Sequence, residues 1–245
     1  VGNTRQAFEA GHAFGAFQNL VSDLPPAELV ETIPDFHDTP RRYRALMEAV
    51  ERDSCGRVAE VEMELEFVRR NEDVLDRLLR LREEGSLPLR ITHNDTKINN
   101  VLFDVETDEA VCVIDLDTVM PGLSLYDFGD LVRTATNPAA EDERDLGKVE
   151  MSIRVFESLV EGYLDAAGKV LNETEIAQMA FAGRLISIEL GMRFLTDHLN
   201  GDRYFRVHRE NQNLDRARTQ LCLARQIAER EEEMTRFVLK VARAG

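Results

Sequence analysis

Lysine is scarce in this sequence: Lys97, Lys148, Lys169 and Lys240 are the only four, and arginine supplies the remaining cationic charge. Acidic residues outnumber basic ones by 46 to 30, for a formal net charge of −16. A surface of that sign repels nucleic acid and anionic lipid, so neither is expected as a partner. It repels ATP as well, so a nucleotide site would have to rest on local cations or metal ions. Cysteine is sparse too. Cys55, Cys112 and Cys222 lie far apart, fit no metal-ligand spacing, and read as reduced thiols of a cytoplasmic protein. No apolar run approaches the roughly 20 residues that a bilayer-spanning helix needs, and no charged-then-apolar leader opens the chain. The first residue is Val1 rather than Met, next to a helical pattern, which reads as the start of a fragment. Neither an internal repeat nor a low-complexity linker divides the sequence.

What is present is ample apolar content, 43% of 245 residues, enough for one large core or two modest ones. Ala7, Phe8, Phe14, Phe17 and Leu20 recur at helical spacing, which predicts a helix from about Thr4 to Leu20. Gly11 and Gly15 inside it fit close helix packing. Thr32 to Asp38 reads as a loop. Thr39-Pro40 reads as an N-cap followed by proline at the first helical position, opening a helix to about Glu51. From Glu60 the apolar pattern predicts one long helix that Gly85 stops. Leu89 to Thr92 is short and extended. Val101–Phe103 and Val111–Ile114 are β-rich runs flanking the polar turn 104–108, a hairpin signal. Helical patterns resume over about Asp127–Thr134, Val149–Ala167, Glu173–Leu199 and Leu214–Val241. The expected fold is mainly α, with a small central β-hairpin.

That hairpin is where polar residues crowd into an apolar frame. Asp95 and Asn100 stand in the loop before it, and Asp115 stands at its far end. A chain that leaves along Val101–Phe103 and returns along Val111–Ile114 brings Asp115 back beside Asn100. The three therefore share one rim. Phosphoryl transfer asks for such a set: a carboxylate to take the acceptor's proton, and an amide and second carboxylate as hard oxygen ligands for magnesium.

His93-Asn94-Asp95-Thr96-Lys97-Ile98-Asn99-Asn100, followed by a hairpin ending in Ile114-Asp115, resembles the catalytic and metal loops of protein kinases. It is more similar to the aminoglycoside phosphotransferase family. With Val113-Ile114-Asp115-Leu116-Asp117-Thr118-Val119-Met120-Pro121-Gly122 and Leu125-Tyr126-Asp127-Phe128-Gly129-Asp130, it looks like the N-acetylhexosamine 1-kinases. The resemblance implies the C-terminal lobe of the protein-kinase-like fold over residues 1–245, with catalytic loop 93–100, metal-binding hairpin 101–117 and helical substrate subdomain 148–245. It makes Asp95 the catalytic base and Asn100 and Asp115 magnesium ligands. Lys97 falls where many kinases keep a lysine near the transferring phosphate; its other reading is a surface cation near an acidic rim. The string Asp127-Phe128-Gly129 spells the kinase metal motif but stands beyond the hairpin, so the metal is assigned to Asp115. Asp127 is read as bracing the catalytic loop or capping the next helix, and His93 as ordering the loop. Asp117 is left open between a second metal contact and a polar turn residue.

The same resemblance gives Arg193 and Tyr204 to the sugar, a guanidinium fork and a phenol suited to hydroxyls and an N-acetyl carbonyl. Without it, the pair reads as a helix ion pair and a half-buried core tyrosine. Kinases of this type also carry a nucleotide lobe ahead of the catalytic loop. Residues 1–92 hold no lysine and no Gly-x-Gly, so that lobe is expected to be absent and the chain alone inactive or nearly so. The expected function is transfer of the ATP γ-phosphate, with magnesium, to the anomeric hydroxyl of an N-acetylhexosamine. Two alternatives stand beside it: an aminoglycoside, choline or homoserine kinase, and a non-enzymatic helical binding module. The oligomeric state is not set by the sequence.

Overall fold

The structure, a computed structural model, describes residues 3–244. Eight α-helices run through them: α1 Thr4–Leu20, α2 Thr39–Arg52, α3 Glu62–Arg70, α4 Arg77–Glu83, α5 Ser124–Ala135, α6 Ile153–Ala167, α7 Glu173–Leu199 and α8 Gln212–Ala242. Four short strands lie between α4 and α5: β1 Arg90–Thr92, β2 Val101–Phe103, β3 Ala110–Val113 and β4 Met120–Gly122. The fold is that of a kinase-like C-terminal lobe, mainly helical with a small β element at its centre. No helix among the described residues is long and apolar enough to cross a membrane.

α7 is the axis of the molecule. Asn172 accepts from the Glu175 amide while the Glu175 side chain accepts from the Asn172 amide, a reciprocal cap that starts the helix. Nearly every turn of α7 is buried, because α2, α5 and α8 all pack on it. Glu175 also ties three elements together: it pairs with Arg90 of β1 at 2.6 Å and accepts from the Ser124 hydroxyl of α5 at 2.7 Å. The segment entering the catalytic loop is thereby fixed to the helical core.

α1 packs along α6 through small residues. A Cβ added at Gly11 would sit 2.3 Å from the Leu159 carbonyl oxygen, and one at Gly162 would sit 2.0 Å from that of Phe8. Those contacts are to backbone and cannot yield as a side-chain tip would. Gly162→Ala should therefore lower stability by about 1–3 kcal/mol, despite alanine's better helix propensity. Urea unfolding measures this, and a stabilised variant would show that the helices can separate freely.

β2 and β3 form the expected antiparallel hairpin, with Val101 opposite Val113, and a bulge between Leu102 and Phe103. β1 pairs with β4, Thr92 opposite Met120, a strand that the sequence reading missed. Two further expectations are corrected. The long helix from Glu60 is broken into α3 and α4, because the Asn71 side chain donates to the Phe67 carbonyl and itself accepts from Arg184. A side chain that competes for helix carbonyls ends the run. The cap of α2 is Asp38, which accepts from the Arg41 amide, and not Thr39, whose hydroxyl donates to Glu189 instead.

Candidate active site

The catalytic loop is built on α5. Asp127 sits in the first turn of that helix, 1% exposed, and its carboxylate accepts from the His93 amide at 2.9 Å and the Asn94 amide at 2.7 Å. Gln18 of α1 donates a third hydrogen bond to it at 3.0 Å. Complete burial pushes the Asp127 carboxyl up, against the pull of the two loop amides. Thr96 donates to the Asp127 carbonyl, and Thr118 donates to that of His93 at 2.7 Å. Asn94 takes the left-handed conformation, φ 62°, and its amide donates to the carbonyls of Thr92 and Thr118. Asparagine tolerates that region, which turns the chain sharply before Asp95.

His93 couples this loop to the returning hairpin strand. Its Nε2 donates to the Ile114 carbonyl at 2.9 Å, so Nδ1 is the acceptor, and the Asp95 amide donates to it at 3.3 Å. The ring is fully buried, edge-on to Phe14 and Phe17. A histidine sealed in this way orders the backbone and has no route to carry protons to solvent.

Asp95 is half-buried. Lys97 Nζ donates to its Oδ2 at 2.7 Å, and Asn100 Nδ2 donates to the same oxygen at 3.0 Å. No described residue donates to Oδ1. Burial lowers the Lys97 pKa, but the Asp95 hydrogen bond and the charges of Asp95, Asp115 and Asp130 outweigh it, so the ammonium is held above its usual range. Asp115 is thus close enough to Lys97 for its charge to be felt. The Ile114 amide donates to the Asn100 carbonyl at 2.9 Å, which draws the two ends of the hairpin together. Asp115 is exposed and left-handed, φ 66°, with no hydrogen bond or ion pair to a described residue. Asn100 is 4% exposed, its NH2 directed to Asp95 and its Oδ1 without a donor. Asn100 Oδ1 and the Asp115 carboxylate are hard oxygens of the kind that could serve as magnesium ligands. Among the described residues no cluster of three or more His, Cys, Asp or Glu is arranged for a metal ion. Asp117 is exposed within the turn Leu116–Thr118.

Arg193 and Tyr204 lie apart from this group. They line a cavity of about 310 Å³ with Phe36, Arg42 and Phe205, and no contact joins either to Asp95. Phe36 also borders a smaller hollow that reaches Asn94 of the catalytic loop. Arg193 does not form the helix ion pair of the plain reading; its guanidinium lies over the rings of Phe36, at 5.2 Å, and Phe205, at 5.6 Å. Tyr204 is 75% exposed and so is not a core tyrosine. Asp197 shapes the wall by accepting from the amides of Arg203, Tyr204 and Phe205.

The loop bearing Phe36 is pinned to α7 by Glu189, which accepts from His37 at 2.8 Å and Thr39 at 2.6 Å. Burial raises the Glu189 carboxyl, but the charge and hydrogen bond of His37, the Thr39 hydroxyl and Arg193 outweigh it and hold it below the usual glutamate range. A carboxyl depressed in the folded state contributes stability above its unfolded pKa and loses it as pH falls through the folded one. Urea midpoints of the native protein should therefore fall on acidification below the ordinary glutamate range, while Glu189→Gln flattens that acid limb. Parallel pH curves for the two would refute the assignment.

Gln18, Thr96, Thr118 and Glu189 were not singled out by the sequence reading. Each acts through a partner distant in sequence, and only a polar residue on the apolar face of α1 could have flagged Gln18.

The lobe that carries these residues is that of the kinase-like phosphotransferases. The chain belongs to the phosphotransferase enzyme family, APH, whose family model matches residues 2–181. Among solved structures the fold is similar to that of a microcompartment-associated aminopropanol kinase, at a TM-score of 0.60 and 20% identity. That match covers 95% of this chain and 64% of the kinase, so the chain spans less than two thirds of its length.

Proposed function

We propose that this chain is the catalytic and acceptor-binding lobe of an ATP-dependent sugar kinase acting on the anomeric hydroxyl of an N-acetylhexosamine. The observation that carries the phosphotransferase part is the state of Asp95: one carboxylate oxygen tied by Lys97 and Asn100, the other without a partner. Asp95 Oδ1 takes the acceptor's proton as the acceptor oxygen bonds to the γ-phosphorus. The bond from that phosphorus to the bridging oxygen breaks, and ADP leaves with the electron pair. Lys97 keeps Oδ2 from turning and sets positive charge beside the transferring group. Asn100 Oδ1 and the Asp115 carboxylate would hold magnesium, which would supply positive charge to offset that of the phosphates. The chain spans 64% of the length of the kinase it is similar to, so activity is to be assayed on the full-length protein.

The sugar assignment rests on the cavity of Arg193 and Tyr204. At about 310 Å³ it falls at the lower end of ligand sites, roughly 300–1,000 Å³, and suits a monosaccharide. A second reading takes its weight from the aminopropanol kinase likeness: an amino-alcohol acceptor. An ammonium would meet the guanidinium groups of Arg42 and Arg193 in this cavity, which argues against it. The test is ADP release by full-length protein with magnesium over a panel: N-acetylglucosamine, N-acetylgalactosamine, aminopropanol, choline, homoserine and an aminoglycoside. Turnover with either N-acetylhexosamine supports the proposal. Turnover confined to the amino compounds would end it.

A further inference from the structure

The cavity that holds Arg193 carries two guanidiniums that form no ion pair with a carboxylate among the described residues. Elsewhere the half-buried and buried arginines are paired: Arg57 with Asp202, Arg90 with Glu175, Arg133 with Asp130, Arg184 with Glu231, Arg209 with Asp215 and Arg218 with Glu64. Arg42 and Arg193 are the contrast. Neither meets a carboxylate among the described residues. The Arg42 fork donates only to the carbonyls of Asp35 and Phe36, and its Nε is buried with no partner. The Arg193 guanidinium makes no hydrogen bond to a described residue and lies over the faces of Phe36 and Phe205.

The acids around the cavity are all engaged. Glu189, whose field reaches both guanidiniums, gives its oxygens to His37 and Thr39. Asp197 accepts three backbone amides and the Asn213 side chain. Asp35 pairs with Arg41, and Asp38 caps α2. Burial lowers the Arg42 pKa, and the nearby Arg193 lowers it further, as two like charges in one hollow must. In a chain of net charge −16, two neighbouring guanidiniums left without an ion-pair partner call for an anion from outside.

We propose that Arg42 and Arg193 form an anion-binding subsite that receives a carboxylate or phosphate carried by a sugar-sized acceptor. Arg193 supplies a fork already oriented by two aromatic faces. Arg42 adds its Nη1, which donates to no described residue, and the walls of Phe36 and Phe205 take the apolar face of a ring. This deepens the sugar-kinase reading, resting on its assignment of the cavity to the acceptor: the preferred acceptor bears negative charge as well as a free hydroxyl.

Calorimetry on the full-length protein decides it, with ligands that share one hexosamine ring and are neutral, anionic and cationic: N-acetylglucosamine, N-acetylglucosamine 6-phosphate and glucosamine. Glucuronate and inorganic phosphate serve as separate arms that tell a carboxylate and a free ion from a sugar phosphate. The anionic sugars should bind about tenfold or more tighter than the neutral one, and more weakly as salt rises. Arg42→Gln should remove most of that preference while leaving the affinity for ADP with magnesium unchanged. Equal affinity for neutral and anionic sugars, tight binding of glucosamine, or an anion preference that survives Arg42→Gln would each overturn the subsite. Binding of inorganic phosphate without any gain for the sugar anions would overturn it too. Turnover of N-acetylglucosamine without an anion preference sinks this inference and spares the kinase reading; an anion preference without phosphorylation of any hexosamine does the reverse.

Discussion

Asp95→Asn should lower the turnover of the full-length enzyme by about 10²–10⁴-fold, the usual contribution of a positioned general base. The change is isosteric, and the amide retains an oxygen for Lys97 and Asn100, whose contacts converge on Oδ2 in the native protein. What is lost is the second oxygen's capacity to take a proton. The effect therefore falls on kcat and leaves KM for the acceptor nearly unchanged, the signature of an interaction made in the transition state. A coupled assay of ADP release measures it. A variant that keeps the native rate would show that the acceptor's proton leaves by another path, and the phosphotransfer assignment of this loop would fall.

The second large effect concerns stability. Asp127→Ala should cost about 3–5 kcal/mol, because it strands two loop amides and the Gln18 side chain where water cannot replace the lost acceptor. Asp127→Asn should cost less, since one oxygen remains to accept. Urea unfolding of the three proteins gives the ordering, and a loss below about 1 kcal/mol for the alanine variant would mean that the loop finds other partners. Because the donors belong to His93 and Asn94, the two residues before Asp95, activity should fall in the alanine variant even where the fold survives.

Much of this was legible in the linear order of residues. The bounds of α1 and α7 follow from apolar residues at helical spacing, and α7 ends where the structure ends it. The β2–β3 hairpin follows from β-rich runs around a turn, and its return of Asp115 toward Asn100 is a matter of chain direction alone. β4 escaped notice because Pro121 sits in its middle; an edge strand tolerates a proline that a central one would not. The break at Asn71 escaped because it depends on a side chain drawn to a carbonyl four residues back and on an arginine from a distant helix. The charge of the Arg42 and Arg193 cavity escaped for the same kind of reason. An arginine's lack of a partner is a property of three-dimensional surroundings, and no local pattern records it.

The bracing of the catalytic loop has a bearing on timing. Backbone amides at 93 and 94, the imidazole of His93 and the hydroxyls of Thr96 and Thr118 are all anchored to other elements. A segment so moored has no slack with which to open or shut, and it behaves as an anvil against which other parts strike. Any motion that accompanies the proposed reaction would then fall to parts of the protein held by fewer such anchors.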